Sequence, residues 1–431
     1  MIRTLARPLG PAALGLALLL APALARAQQA PTLRWSGYGT LGLTSTDNSQ
    51  GWRFSRELMA PGAGARLAAN VDTRLGIQAN AGFSPRLDGV AQVLARDRFA
   101  ASPVSDWIQL AFLRYSLLPD LSLSLGRTSP DIFLYANTRN VGLAMPWVRP
   151  PVELYGWIPF SATDGLDLDY RWRTDSADWK LNVSYGDARA PVAVAAQGTA
   201  IRVRADGAGV LSLTRESGGL LLKASYVTTR ARTGQSPAYA PLVAGLEGVA
   251  ALPLPGLDDA VQRLLQGIGA RPLGRTHYLG VGLQYDFDPW RVDAEYSRVV
   301  VGDTAASGEH GYLSLGRRFG DLTAYVLHAW TRPQRAPEAA PQLPAQALPP
   351  AALAQAQFVL DLAAAASNVP RMDQRTSAIG LRWDLRPRLA LKLQVDRVRI
   401  GPSGAGLWMR STPAPATATV TSLALDFAWG S

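Results

Sequence analysis

The chain contains no cysteine and only three histidines among its 431 residues. The missing thiols exclude disulfide frameworks, cysteine-ligated metals and a cysteine nucleophile. The histidines, His277, His310 and His328, leave little material for a metal site or a catalytic triad. We therefore expect no metal, no cofactor and no catalytic residues.

Lysine is almost as rare, because only Lys180, Lys223 and Lys392 interrupt an otherwise arginine-based positive charge. The formal net charge is +10, with 33 acidic residues against 43 basic ones. Such an excess attracts anions. It is equally typical of a genome rich in arginine codons, and both interpretations stay open here. No nucleic-acid-binding motif is present, so no nucleic-acid partner is predicted.

Long hydrophobic runs are missing too: beyond the N-terminus no stretch of about 18 apolar residues occurs, which excludes a transmembrane helix. The N-terminus itself has Arg3 and Arg7, then the apolar stretch "AALGLALLLA", then "ALARA" with an A-x-A cleavage pattern. This order predicts a secretory signal peptide, residues 1–27, and an exported mature chain, residues 28–431. A membrane anchor is disfavoured because the apolar run is short and contains prolines.

What the mature chain does have is a period of two. In "GLDLDYRWR" the apolar Leu166, Leu168, Tyr170 and Trp172 alternate with charged residues, and "SAIGLRWDL" and "LALKLQVD" repeat the pattern. Alternation of this kind is typical of strands with one apolar and one polar face. It recurs in sixteen segments: 33–43, 71–83, 89–98, 107–117, 121–129, 165–174, 177–186, 206–216, 220–230, 277–287, 290–300, 310–318, 322–331, 376–385, 389–399 and 420–429.

The links between these segments alternate between short turns, such as "SGG" and "RPR", and long loops. Short turns at one end and long loops at the other are typical of bacterial transmembrane β-barrels. Aromatic residues cluster at the strand ends, as interfacial girdles do. The predicted fold is therefore all-β: a 16-stranded antiparallel transmembrane β-barrel with short periplasmic turns and long extracellular loops.

The signal peptide, the sixteen alternating segments, "GYGTLGL" near the mature start and the aromatic last strand together resemble Gram-negative outer-membrane porins. This resemblance covers the whole mature chain and implies passive diffusion of small hydrophilic solutes and ions, an outer-membrane lipid environment and a homotrimer. Two features depart from the family pattern. Gly430 and Ser431 follow the terminal aromatic Trp429, and no PEFGG-like stretch occurs in the third long loop.

The third long loop, 130–164, is where porins fold a segment into the pore, and here it contains "AMPWVRPPVELYG". Two consecutive prolines stiffen it. We expect pore-lining or constriction roles for loop and wall residues, with Glu153 also able to anchor the loop on a wall arginine. The candidates are Arg149, Glu153, Arg139, Tyr155, Arg127, Arg74 and Arg171.

The alternatives concern function and the other loops. A mild anion preference follows from the arginine excess. An outer-membrane enzyme of the lipase or protease type would use a histidine near the barrel rim, with His310, Ser307 and Asp303 in sequence reach. A non-conducting structural or adhesive barrel is the third class, and the absence of an N-terminal plug disfavours a gated transporter. Short helices are predicted in the long loops 231–276 and 332–375.

Overall fold

The computed structural model describes residues 32–47, 52–58, 62–97, 106–194, 199–234, 239–405, 408–409 and 416–430. The predicted signal peptide lies outside the described residues. The strands are β1 (Thr32–Thr46), β2 (Arg53–Phe54), β3 (Arg74–Ser84), β4 (Leu87–Arg96), β5 (Ile108–Leu118), β6 (Leu121–Thr128), β7 (Thr163–Thr174), β8 (Ala177–Val194), β9 (Thr199–Ser217), β10 (Leu220–Thr233), β11 (Gly274–Phe287), β12 (Trp290–Val301), β13 (Gly308–Phe319), β14 (Leu322–Pro333), β15 (Met372–Arg386), β16 (Leu389–Ala405), β17 (Trp408–Met409) and β18 (Ala416–Gly430).

Sixteen of these strands form one closed antiparallel barrel, and the short β2 and β17 pair separately. Each barrel strand pairs with its neighbour along the chain, and β1 closes the sheet against β18, with Gly37 opposite Trp429 and Leu41 opposite Leu425. Closure leaves no unpaired strand edge, which a sheet in lipid requires. The predicted fold class is confirmed.

All seven connections at one end of the barrel are two-residue turns, at 85–86, 119–120, 175–176, 218–219, 288–289, 320–321 and 387–388. In the turn after β9, Gly218 and Gly219 both have positive φ, 56° and 81°, as a type I′ hairpin demands. At the other end, β8 and β9 extend much further than predicted, to Val194 and from Thr199. Their link is therefore short rather than long.

The two faces of the wall differ as the alternation predicts. Leu279, Leu313, Ile379 and Leu381 point outward and are 42–63% exposed. Such an outward apolar band is the surface that a transmembrane barrel presents to lipid. At the short-turn end the outward aromatics cluster, and the rings of Trp172 and Trp179 stack with centroids 5.7 Å apart.

In the described residues of the long loops there are four α-helices: α1 (Val152–Tyr155), α2 (Ala240–Ala250), α3 (Leu257–Gly267) and α4 (Pro350–Ser367). The last three pack on one another through buried leucines such as Leu246, Leu264 and Leu360. They form a small helical cap at the long-loop end, within the two loops for which helices were expected. No helix in the described ranges is both long and apolar enough to cross a membrane.

Candidate functional site

The loop between β6 and β7, residues 129–162 and here called loop 3, folds into the barrel. Many of its side chains are almost fully buried: Trp147 is 0% exposed, Arg149 3%, Glu153 1% and Tyr155 3%. Pro151, the second residue of the double proline, is the N-cap of helix α1. The indole N–H of Trp147 donates to the Ser314 hydroxyl on β13 at 2.9 Å. Loop 3 is thus packed against the inner wall of the barrel as tightly as side chains are packed in a protein core.

Arg149 is the centre of an ionic anchor. Its guanidinium donates two hydrogen bonds to Asp72, at 3.0 and 2.6 Å, and one to Asp396 at 3.3 Å. It also donates to Thr44 and Ser422 and lies over the Phe54 ring. The fork of Arg is suited to such bidentate pairing. At this position the guanidinium has carboxylate partners on two sides and is shielded from water.

The charges around Arg149 shift the pKa values of the loop groups. Burial alone raises the pKa of Asp72, but the charge and hydrogen bonds of Arg149, with the charges of Arg56 and Arg74, outweigh burial and hold this pKa well below its ordinary value. Burial and the charge of Arg74 lower the pKa of Arg56 to about 9. Burial alone would lower the pKa of Arg149, but the charge and hydrogen bonds of Asp72 outweigh burial and raise this pKa. The Asp72 carboxylate and the Arg149 guanidinium therefore form a charged pair.

Lys392, on β16, is a second anchor that the sequence analysis did not identify. Its ammonium donates to the carbonyl oxygens of Gly142, Met145 and Trp147, at 2.7, 2.8 and 2.9 Å, and pairs with Asp426 at 2.8 Å. Gly142 is needed here, because a Cβ on it would lie 2.0 Å from Oδ1 of Asp426. In the sequence, the only indication of this anchor was a lysine, a rare residue in this chain, on the predicted inner face of a strand.

Glu153 anchors helix α1, but on neutral partners instead of the expected arginine. Its Oε1 accepts hydrogen bonds from the Gln374 amide, at 2.6 Å, and from the Thr376 hydroxyl. Burial raises the pKa of Glu153, and these bonds offset only part of that shift. Its backbone carbonyl lies 2.9 Å from Nδ1 of His310.

Tyr155 donates from its hydroxyl to a buried carboxylate on β12, Glu295. The same carboxylate accepts from the Tyr312 hydroxyl and from the Leu134 backbone N–H, both at 2.9 Å. Glu295 therefore ties the two ends of loop 3 to one wall position.

Loop 3 crosses the lumen between Tyr135 and Asn140. The Tyr135 hydroxyl donates to Asp293 on β12 at 2.6 Å, and Nε of Arg74 on β3 donates to the Asn140 carbonyl at 2.7 Å. Strands β12 and β3 lie on nearly opposite sides of the closed sheet. Residues 134–140 form successive turns, in which the Thr138 N–H donates to the Tyr135 carbonyl at 3.1 Å, and this compact crossing divides the lumen in two.

On one side of this crossing, residues 141–155 fill the lumen against β13–β18 and β1. The other side faces β4–β8, where Leu110 and Phe112 point inward and are partly exposed, as is Asp169. Asn137, on the crossing itself, is exposed. Any passage through the barrel therefore lies between residues 136–139 and the β4–β8 wall.

The short-turn end of this side is an open vestibule with charged walls. Arg114 pairs with Asp88 at 4.0 Å, and Lys180 pairs with Asp169 at 3.0 Å. Arg171 also points inward, beside Lys180 in the β7–β8 register, and is exposed. Among the described residues it has no carboxylate within 4.0 Å, and the same holds for the inward, exposed Arg34 of β1.

The remaining candidates are placed elsewhere. Arg139 is buried and pairs with Glu57 at 3.5 Å, and Arg74 is buried beneath the crossing. Arg127 shares its row with the outward Leu125 and Leu166, and makes a two-pronged ion pair with Asp164 at 2.6 and 2.8 Å. Arg127 is therefore on the outer face, because a side chain two residues from Leu125 has the same orientation. Of the seven candidates, Arg171 has the inward, water-exposed position of a pore-lining charge.

The histidine constellation of the enzyme alternative is dispersed. His310 is buried against loop 3, the Ser307 hydroxyl accepts from the Val301 N–H at 2.9 Å, and Asp303 pairs with Arg335. Their hydrogen bonds lead to different partners, whereas a nucleophile and its base must bond each other. These three residues do not form a triad.

Comparison with known proteins found no matching family model and no match among curated proteins. Solved structures do match. OmpF of Salmonella typhi in complex with daunomycin is 11% identical, with a TM-score of 0.51 over 92% of this chain and 97% of that one. OmpT of Vibrio cholerae in its trimer form is 11% identical (TM-score 0.47, 93% and 100% covered), and a variant of the Rh. blastica porin is 10% identical (0.46, 92% and 100%). Together with the closed sheet of sixteen strands, the OmpF match shows that this chain has the fold of the outer-membrane porins.

Proposed function

We propose that the protein is an outer-membrane porin, a passive diffusion channel for small hydrophilic solutes with a mild preference for anions. The observation that carries this proposal is the course of loop 3, which crosses the lumen and leaves one side, towards β4–β8, to solutes. A barrel of sixteen strands is too wide for its wall side chains to fill, so an inward loop is what sets the width of the passage.

The anion preference is supported by the vestibule charges. Asp88 and Asp169 are both paired with basic side chains, whereas Arg171 and Arg34 have no ion-pair partner among the described residues. Glu216 of β9, also inward and exposed, has no ion-pair partner in the described ranges either, so these three unpaired groups leave a small positive excess. Anions near these guanidinium groups are favoured, although high salt screens the effect.

Purified protein in a planar bilayer tests the channel. We expect step-like conductance. Across a KCl gradient, the reversal potential should have the sign expected when chloride permeates more readily than potassium. Two unit charges about 8 Å apart in water interact by about 0.5 kcal/mol. Arg171→Glu should therefore lower the anion/cation permeability ratio several-fold at about 0.1 M salt and less at about 1 M. Arg232→Glu is the matched control, since Arg232 lies outside and pairs with Asp206.

The absence of native cysteine makes the passage itself testable. A charged thiol reagent should reduce the conductance of Asn137→Cys, on the exposed crossing, and should leave Ser314→Cys unchanged, since Ser314 is 1% exposed under loop 3. If the reagent reduced the conductance of Ser314→Cys and not that of Asn137→Cys, the passage would lie on the side of loop 3 opposite to the one proposed.

A non-conducting structural barrel is the second candidate, and the filling of the β13–β18 side by loop 3 favours it. The same bilayer experiment decides between the two, because a folded barrel without conductance steps is the result expected for the structural one. The homotrimer rests on the resemblance to porins alone, and chemical cross-linking of the folded protein would test it.

A further inference from the structure

The inner wall of the barrel has an apolar patch on β4 and β5, on the side that loop 3 leaves open. Val90 of β4 is directly opposite Phe112 of β5, and Leu110 is two residues from Phe112 on the same face. Phe112 faces inward because it alternates with Leu113, which is outward and 41% exposed. All three inward side chains are partly exposed. We call Val90, Leu110 and Phe112 the wall patch.

The wall patch departs from the polar inner face that is usual in a water-filled barrel. Its inward neighbours along the two strands are polar, namely Asp88 and Gln92 on β4 and Arg114 on β5. Leu94, the next inward residue after Gln92, is also apolar, but it is 0% exposed and belongs to the packed interior. The wall patch keeps part of its surface open and therefore faces the passage instead of a protein core. Apolar surface in a concave site is what a ligand covers when it binds.

A guanidinium group borders the wall patch. Cζ of Arg114 lies 5.2 Å from the centroid of the Phe112 ring. Arg114 pairs with Asp88 at 4.0 Å, the side chains of this pair are 40% and 41% exposed, and Nε of Arg114 has no hydrogen-bond partner among the described residues. Asp88 therefore satisfies only part of the hydrogen-bonding capacity of the five N–H donors that an arginine has.

The next charge on the inner wall is positive as well. Arg34 of β1 is in the same register row as Val90, with Asn80 of β3 between them. Two strand spacings separate Arg34 from Val90, or about 10 Å. Arg34 is inward and exposed, and within the described ranges it has no ion-pair partner. An apolar surface with a cation on either side is complementary to a solute that has an apolar body and a negative charge.

We propose that the wall patch and Arg114 form a binding site in the passage for small carboxylates with an apolar ring or chain. The apolar group of the solute covers the wall patch, and its carboxylate accepts hydrogen bonds from Arg114, whose fork suits this group. Removing about 50 Å² of apolar surface from water strengthens binding about eight-fold relative to a polar solute of the same charge. The site rests on the proposed channel and names a class of solutes that the channel favours.

Two carboxylates with the same ring and the same charge test the site: cyclohexanecarboxylate, which is apolar, and quinate, whose ring is polyhydroxylated. With the purified protein in a planar bilayer in KCl, cyclohexanecarboxylate should halve the conductance at about one-eighth of the concentration that quinate requires. Phe112→Ser and Leu110→Ser should each reduce this preference towards equality. Phe319→Ser is the matched control and should keep the preference of the parent, because its ring is 53% exposed on the outer face.

Arg114→Gln tests the charged half of the site. This substitution should raise the half-blocking concentrations of both carboxylates by a similar factor and should leave the preference between them in place. Arg232→Gln should change neither concentration, because Arg232 belongs to an exposed ion pair outside the lumen. Unchanged half-blocking concentrations in Arg114→Gln would exclude Arg114 from the site.

Equal half-blocking concentrations of the two carboxylates in the parent would overturn the proposal, as would an unchanged preference in both Phe112→Ser and Leu110→Ser. The two substitutions are at separate positions, so misfolding of one variant leaves the other informative. A parent barrel without conductance steps would refute the channel, and calorimetric titration of the folded protein in zwitterionic micelles would then decide the site. Tighter binding of cyclohexanecarboxylate than of quinate, lost in Phe112→Ser, would support the site, and equal affinities would overturn it.

Discussion

Removing Arg149 is the most informative perturbation of loop 3. Arg149→Met keeps much of the side-chain volume but leaves Asp72 and Asp396, 1% and 4% exposed, facing each other without their shared cation. Breaking a buried ion pair from one side costs about 3–5 kcal/mol. Arg149 belongs to loop 3, so this loss lowers the equilibrium constant for docking of the loop by roughly 10² to 5 × 10³, while the hydrogen bonds of the sheet are untouched.

Two measurements follow the docking of loop 3. Single-channel conductance should rise, or alternate between two levels, as the loop leaves the lumen, and trypsin should cut the loop in detergent-solubilised protein. Adding Asp396→Asn to Arg149→Met should restore part of the protection, because Arg149 is the only cation within 4.0 Å of Asp396 among the described residues. The control Arg232→Met breaks an exposed pair, in which the arginine side chain is 62% exposed, and such pairs contribute about 1 kcal/mol or less.

The reasoning would be refuted by an Arg149→Met protein with the parent's conductance and the parent's resistance to trypsin. A variant that changes the anion/cation permeability ratio while keeping both of these properties would show that Arg149 lines the passage after all.

Three further predictions use other parts of the molecule. Burial raises the pKa of Glu153, so the contribution of this carboxyl group to loop docking is fully present below about pH 4.5 and is lost as pH rises through the raised pKa. Glu153→Gln should therefore reduce the pH dependence with which loop 3 is protected from trypsin. An unchanged pH profile would contradict this. Leu381→Arg, on the outward face, should cost about 2–4 kcal/mol in urea unfolding from lipid, whereas Ser122→Ala in the vestibule should cost little; equal effects would argue against the membrane-facing assignment. On intact cells trypsin should cut after Arg335 and spare Arg388 in a two-residue turn, and the reverse pattern would invert the topology.

The barrel could be predicted from the sequence because its signals are local. Alternation within each segment sets the strand and its faces, and two-residue turns such as Gly218–Gly219 set the hairpins. The prediction of the strand ends was wrong where apolar and polar residues no longer alternate. Between Ala188 and Arg204 small, apolar and charged residues are mixed, so the extension of β8 and β9 beyond the apolar band has no clear period.

The sequence led to loop 130–164 as the candidate site but not to the contacts of its side chains. The partners of Arg149 are 77 and 247 residues away, and the carbonyls bound by Lys392 are about as distant as Asp396 is. No local pattern reports such pairings. The sequence alone therefore does not distinguish an inward-loop arginine that lines a water-filled passage from one that is buried between two aspartates.

The distinction matters for how charge is used in this barrel. A buried arginine with two carboxylate neighbours contributes little field to a distant passage, because its charge is compensated within hydrogen-bond distance. The Arg149 cluster therefore positions the loop, and in the proposed channel a permeating ion would sense the few charges left without partners, such as Arg171 at the vestibule. Counting arginines along the sequence overestimates the field in the lumen, since most inward basic residues, including Lys180 and Arg114, have a partner within 4.0 Å. In the proposed channel, ion preference would consequently be set by the small number of wall charges without partners, and this is why we propose only a mild preference for anions despite the net charge of +10.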